Sequence, residues 1–241
     1  MTRRVLVTGG NRGIGQHIST WLARAGYEIV VHYHVNRDAA EEVAHAIQQA
    51  GGRAEALSFD VGNREETAAA IISNIETHGP YYGVVCNAGN HRDNAFPAMP
   101  GEDWDLVIRT NLDAFYNVLH PVTMPMVKAR QGGRIVVISS ISGLIGNRGQ
   151  VNYSAAKGGL IAAAKALAVE LGKRKITVNC IAPGLIETEM TAELDLEKIV
   201  AQIPLRCIGQ PENVASLVAY LFTDEAEYLT RQVISVNGGM F

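Results

Sequence analysis

Short runs of β-branched and apolar residues alternate along this chain with longer helical stretches, and no other feature narrows its fold so far. Val5-Leu6-Val7, Ile29-Val30-Val31 and Ile135-Val136-Val137-Ile138 are continuously apolar rather than alternating. Runs of that kind fit strands buried on both faces. We expect strands at 4–8, 28–34, 54–59, 83–87, 134–139, 176–181 and 232–236. Helices are expected at 14–25, 38–50, 64–77, 103–130, 152–171 and 212–222, the fourth of them bent near Pro121 and Pro125. Regular strand–helix alternation belongs to a parallel sheet covered on both faces. The expectation is therefore an α/β fold: one doubly wound domain over 1–241, built on a mostly seven-stranded parallel sheet. Such sheets bind ligands beyond the carboxyl ends of their strands.

Composition removes several classes of function. The 241 residues are 47% hydrophobic and 19% charged, which excludes a disordered chain. A net charge of −3, with Arg and Lys scattered, argues against nucleic-acid binding. No apolar run approaches the ~18 residues of a membrane span. Arg3-Arg4 precede only Val5-Leu6-Val7, which reads as a first strand and not as a secretory signal. Cys86, Cys180 and Cys207 are far apart and form no CxxC, so the default is a reducing cytoplasm with neither disulfides nor a zinc site.

Thr8-Gly9-Gly10-Asn11-Arg12-Gly13-Ile14-Gly15 follows the first strand and opens the first helix. Glycines there permit a tight turn and a close approach to a pyrophosphate, which then meets the free N–H groups of a helix N-terminus. That context points to a Rossmann-type dinucleotide site holding Gly9, Asn11, Arg12, Gly13, Ile14 and Gly15. A mere tight turn is the alternative. The end of the second strand separates NAD from NADP, because an acid there accepts from the ribose 2′-hydroxyl. Here Tyr33 stands where that acid would be, and none precedes Asp38. Arg12 and Arg37, with His34, could instead hold a 2′-phosphate. The reading is NADP, against two arginines that are only solvated.

Tyr153-x-x-x-Lys157 falls near the start of a helix, so both side chains share a face. A neighbouring ammonium favours the phenolate and is expected to lower the phenol's pKa, making Tyr153 a usable acid toward a carbonyl oxygen. The alternative is a tyrosine packed on the sheet beside a solvated lysine. Ser140, at the end of the fifth strand, could also bond the substrate oxygen. His32 and His34 share one side of a strand, but no residue completes a metal-ligand set, and no metal is expected. Cys86 as a nucleophile is disfavoured by its buried strand end.

These motifs together resemble the short-chain dehydrogenase/reductase family, and the resemblance runs nearly end to end. The carriers are Thr8, Gly9, Gly13 and Gly15; Asp60-Val61; Cys86-Asn87-Ala88-Gly89, with Cys86 in place of the usual first Asn; Asn111; Ser140, Tyr153 and Lys157; and Pro183-Gly184 with Ile186 and Thr188. The resemblance implies Tyr153 as general acid and Ser140 as holder of the carbonyl. It implies that Lys157 binds the nicotinamide ribose and that Asn111 holds a proton-relaying water. Asp60, Val61, Asn87, Ala88 and Gly89 would flank the adenosine half; Pro183, Gly184, Ile186 and Thr188 would flank the nicotinamide.

Within the family, His91-Arg92-Asp93-Asn94, the 146–153 and 182–190 stretches and the tail Val236-Asn237-Gly238-Gly239-Met240 are similar to 3-oxoacyl-[acyl-carrier-protein] reductases. That implies a small-molecule acyl substrate delivered by acyl carrier protein, with Arg130 and Arg174 beside the cleft as docking residues. It also implies a homotetramer built on the 103–130 and 152–171 helices, and a substrate lid at about 185–210. Arg231 departs from the pattern, standing where the family commonly has Gly. The competing readings are a reductase of free ketones, sugars or steroid-like alcohols, and a dinucleotide-binding sensor without turnover.

Overall fold

The computed structural model describes residues 3–188 and 200–241. Seven strands form one parallel sheet: β1 (Arg4–Val7), β2 (Glu28–Tyr33), β3 (Arg53–Ser58), β4 (Gly83–Cys86), β5 (Gly133–Ile138), β6 (Ile176–Pro183) and β7 (Val233–Val236). Their spatial order is β3-β2-β1-β4-β5-β6-β7. The order reverses between β1 and β4, which opens a crevice at their carboxyl ends.

The continuous apolar runs are explained by two cores, one on each face. Val5, Val7, Ile29, Val31, Val136 and Ile138 point to one face, where they pack with Ile18, Leu22, Val43, Ile47, Val214 and Val218 of the covering helices. Leu6, Val30, Val84, Ile135 and Val137 point to the other and meet Ile71, Val118, Val122, Leu160 and Ala164. Val5, Leu6 and Val7 are all fully buried. A charge at any of them would meet a core whichever way it pointed.

Among the described residues the α-helices are α1 (Gly13–Arg24), α2 (Arg37–Gln49), α3 (Arg64–His78), α4 (Gly101–Ile108), α5 (Ala114–Ala129), α6 (Ser142–Ile145), α7 (Val151–Leu171) and α8 (Pro211–Phe222). Asn36 and Asn63 cap α2 and α3, accepting from the backbone N–H of Ala39 and of Glu66. The expected 103–130 helix divides elsewhere than at its prolines. A π-helical turn, Arg109–Asp113, separates α4 from α5, while Pro121 and Pro125 lie inside α5. Asn111 sits in that turn, and its Nδ2 donates to Val107 O and to Asn90 O, both at 2.8 Å. A side chain bonding the carbonyl four residues back competes with the helical ladder, and π-bulges recur at functional positions.

The stems of the expected lid are joined to each other by the Ile186–Gly209 bridge, and one of them is tied to the body by Leu205 N–H donating to Gly238 O. Residues 189–199 of that segment lie outside the described residues. Arg231 adopts φ +64°, the left-handed region that suits glycine. Left-handed backbone costs an L-residue ~1–2 kcal/mol, against ~0.5–1 kcal/mol of unfolded-state entropy that glycine adds. Arg231→Gly is therefore expected to raise stability by roughly 0.5–1 kcal/mol in chemical denaturation. A loss of stability would contradict this account.

Candidate active site

The glycine turn is shaped by its backbone angles and by close approaches at Gly15. Gly9 and Gly13 take φ +60° and +49°. A Cβ on Gly15 would overlap Gly9 O and stand 2.6 Å from Asn87 Nδ2, so only glycine lets α1 begin this near the turn. Arg12 is the extended residue before α1. Asn11 before it and Ile14 in the first turn of α1 are both half-buried. Thr188 reaches over from the loop after β6, with its methyl 3.6 Å from where a Gly13 Cβ would be.

Thr8 latches the turn to β4. Its hydroxyl accepts from Asn87 N–H (2.9 Å) and Ala88 N–H (3.0 Å), while Asn87 Nδ2 donates to Thr8 O (3.0 Å) and Gly9 O (3.2 Å). Asp60 organises its own loop, where Oδ1 accepts from Gly62 N–H at 2.8 Å and the backbone oxygen accepts from Thr67. Val61 is buried behind it. His34 is exposed at the end of β2, and Arg37 pairs with Glu41 at 2.7 Å on the outer face of α2. Pro183 O accepts from Ile141 N–H, Gly184 N–H donates to Val236 O, and Ile186 is buried, so the loop after β6 is fixed on both sides.

Ser140 follows β5, and Tyr153 and Lys157 lie in the first two turns of α7. Ser142 N–H donates to Ser140 Oγ at 3.1 Å, leaving the Ser140 hydroxyl proton for another acceptor. The Ser140 hydroxyl is near enough to the Tyr153 phenol to favour its ionised form. Lys157 is 4% exposed, and its Nζ donates to Ile138 O at 3.0 Å, 5.5 Å from the centre of the Tyr153 ring. Ser139 Oγ donates to Lys157 O, tying α7 to the carboxyl end of β5.

The expected acidification of Tyr153 by Lys157 is not what this geometry gives. Burial pushes the phenol up to about 12; the Ser140 hydrogen bond opposes that rise and the Asp93 carboxylate adds to it. Burial likewise pushes Lys157 down to about 8. The ammonium faces a backbone carbonyl, and taking both groups out of water dominates. The phenol thus holds its proton at neutral pH, the state a proton donor needs.

Asn111 comes to the same place from the π-helical turn. Among the described residues no donor reaches its buried Oδ1. A Cβ at Gly89 would overlap that oxygen and lie 3.4 Å from Lys157 Nζ. A buried acceptor without a donor is rare, and this one fits a bound water or hydroxyl group. Burial pushes the Cys86 thiol up to about 12, which leaves it inert beside the site. Among the described residues no group of three His, Cys, Asp or Glu is placed for a metal ion.

Arg130 and Arg174 are exposed, but not beside this chain's own cleft. Arg130 ends α5, and Arg174 follows α7 just before β6. Lys175 O accepts from Gly133 N–H, which marks that end as the amino edge of the sheet. α7 rises about 27 Å between Tyr153 and Leu171 at 1.5 Å per residue. Parallel topology sets Arg130 and Arg174 at the end of the sheet opposite the cleft.

Sequence reasoning missed Gln150 and treated His32 only as a possible metal ligand. Gln150 Nε2 donates to Asp93 at 2.7 Å, and its Oε1 accepts from Ser142 Oγ and Asn147 Nδ2. That binds the loop after β4 to the start of α7. His91 takes part, with Nδ1 3.2 Å from Asp93 and its ring edge-on to Tyr153. The one available signal was a polar cluster flanking Tyr153.

A family model described as enoyl-(acyl carrier protein) reductase matches residues 9–241. A protein named 3-oxoacyl-[acyl-carrier-protein] reductase FabG, from Aggregatibacter actinomycetemcomitans, is 57% identical over the whole of both chains. Proteins of that name are 43% identical in Pseudomonas aeruginosa (98% of this chain, 96% of theirs) and 41% identical in Staphylococcus aureus strain Mu50 (100% and 99%). With the switch-point crevice, the glycine cradle and the Ser140–Tyr153–Lys157 cluster in one place, these matches lead to one conclusion: the chain belongs to the short-chain dehydrogenase/reductase family and is an oxidoreductase that uses a nicotinamide dinucleotide.

Proposed function

We propose that the chain is an NADPH-dependent 3-oxoacyl-[acyl-carrier-protein] reductase of fatty-acid or related polyketide or polyene synthesis. The observation that carries this is the meeting of two hydroxyls, Ser140 and Tyr153, beside the orphaned Asn111 Oδ1, in a chain matched end to end by relatives of that name. A ketone suits this site better than an isolated double bond, which brings no oxygen at the carbon that takes hydride. The reading makes 185–210 the substrate lid.

The cradle fits a dinucleotide: Gly9, Gly13 and Gly15 clear space that a Cβ would fill, at the N-terminus of α1. When bound, the reduced nicotinamide supplies the hydride. Tyr153 gives its proton to the ketone oxygen, and Ser140 holds that oxygen by a hydrogen bond. Lys157 carries the replacement proton, with Asn111 Oδ1 accepting from the water that delivers it. Asn87, Ala88, Asp60 and Val61 line the adenosine half; Pro183, Gly184, Ile186 and Thr188 line the nicotinamide half. NADPH is favoured because no carboxylate lies between Tyr33 and α2, while Arg12 and Arg37 are exposed there. The Arg37–Glu41 pair is an exposed one, which a 2′-phosphate can displace.

Exposed Tyr116 and Met124 on α5 and Val169 on α7 fit the burial of these helices in a homotetramer. Carrier docking at Arg130 and Arg174 then serves the cleft of a second copy, whose antiparallel helices bring the far ends together. The three free thiols suit a reducing cytoplasm. No described helix is long and apolar enough to cross a membrane.

The test is a substrate panel with both nicotinamides: acetoacetyl thioesters, free and on carrier protein, against free ketones and an enoyl thioester. NADPH oxidation by 3-oxoacyl thioesters is expected to exceed that by free ketones at least tenfold. A preference for NADH, or for ketones lacking the thioester, overturns the assignment.

A further inference from the structure

His32 lies in the middle of β2's carboxyl half and is 2% exposed. Gly9 N–H donates to its Nδ1 at 2.9 Å, and its Nε2 lies 2.8 Å from Phe59 O. An amide can only donate and a carbonyl can only accept. The tautomer is therefore settled by its partners: Nδ1 carries the lone pair and Nε2 the hydrogen. The ring also lies 4.0 Å from the Phe59 ring, and His32 O accepts from Gly10 N–H at 3.0 Å. Burial pushes the imidazole down to about 4, so it is neutral under working conditions.

These bonds join two parts of the cofactor cradle that the chain itself keeps apart. Gly9 is the left-handed residue that turns the backbone toward α1. Phe59 directly precedes Asp60-Val61. A free Gly9 N–H could swing the turn either way, while a bonded one leaves the following N–H groups set. We propose that His32 is a positioning residue for the dinucleotide, its Nδ1 holding the glycine turn in the conformation that binds pyrophosphate. This rests on the dinucleotide reading given above.

Two substitutions separate the bonds. The amide oxygen of His32→Asn stands near the place of Nδ1 and can accept from Gly9, but does not reach Phe59. The amide nitrogen of His32→Gln stands near the place of Nε2 and can donate to Phe59, but leaves Gly9 without its acceptor. NADPH affinity is measured by fluorescence titration, and KM and kcat by steady-state kinetics, at a temperature where circular dichroism finds each variant folded. We expect His32→Asn within threefold of wild type in Kd. His32→Gln should raise Kd and KM for NADPH at least tenfold, with kcat at saturation within threefold. Equal losses in both variants, or losses confined to kcat, assign His32 a merely structural part and overturn the inference. Should either variant fail to fold, hydrogen exchange on the cofactor-free wild type decides instead. A Gly9 amide exchanging at the rate of an open chain overturns the inference, and a protected one upholds it. Wild type that binds neither nicotinamide dinucleotide overturns the functional assignment and this inference with it. Wild type that binds NADPH no better than His32→Gln overturns this inference alone.

Discussion

Tyr153→Phe is expected to lower kcat for reduction by about 10²–10⁴, which is roughly 3–5 kcal/mol of transition-state stabilisation. The phenylalanine ring fills the same volume at the start of α7. The nearby Ser140 keeps its own partner in the variant, since its Oγ still accepts from Ser142 N–H. Stability should therefore move by less than about 1 kcal/mol, and KM for NADPH should hardly change. Steady-state kinetics beside a denaturation curve would check both. Retention of a tenth or more of kcat would remove the proton-donor role. The pH profile offers a second reading of the same chemistry. Tyr153 is protonated up to about 12, and Lys157 loses its proton near 8. Reduction should accordingly hold across neutrality and fall as pH rises through about 8, when the ammonium that resupplies the phenol is lost. A kcat that stays level to pH 9.5 would detach Lys157 from the proton path.

Gly15→Ala should abolish dinucleotide binding. Its methyl would overlap Gly9 O and press on Asn87 Nδ2, and both belong to the latch around Thr8. The Gly9 backbone has to give way, and the Asn87 side-chain amide cannot simply swing aside because it is bonded to Thr8 O and Gly9 O. Overpacking of that kind costs about 1–3 kcal/mol, and the displaced turn no longer presents its N–H groups together. We expect NADPH affinity to fall at least 100-fold, with a measurable loss of stability. Gly101→Ala is the control, since a Cβ there at the start of α4 meets nothing within 4 Å. Wild-type affinity in Gly15→Ala would mean that the close approach is not needed.

Much of this molecule is legible before any coordinates. Val5-Leu6-Val7 and Ile135–Ile138 announce two-sided burial because an uninterrupted apolar run has no polar face to leave in water. The turn at Gly9, Gly13 and Gly15 is legible because only glycine tolerates its backbone angles and contacts. Tyr153 and Lys157 share a helix face by spacing alone.

What spacing leaves open is whatever depends on residues distant in sequence. The break before α5 sits not at Pro121 but at Asn111, whose side chain bonds both Val107 O and Asn90 O, the latter twenty-one residues away. Tyr153 is raised rather than lowered because Lys157 Nζ turns to Ile138 O and burial outweighs the charge. His32 reads only as half of an incomplete metal-ligand pair until Gly9 and Phe59 close on its two nitrogens. Arg130 and Arg174 are basic on any reading, yet the parallel sheet carries them to the edge opposite the cleft. Local sequence thus determined the strands, the turn and the helix that carries Tyr153 and Lys157, since each depends on neighbours along the chain. Tertiary packing alone decided protonation, orientation and which end of the sheet a residue occupies, since desolvation and hydrogen-bond partners come from segments that meet only on folding.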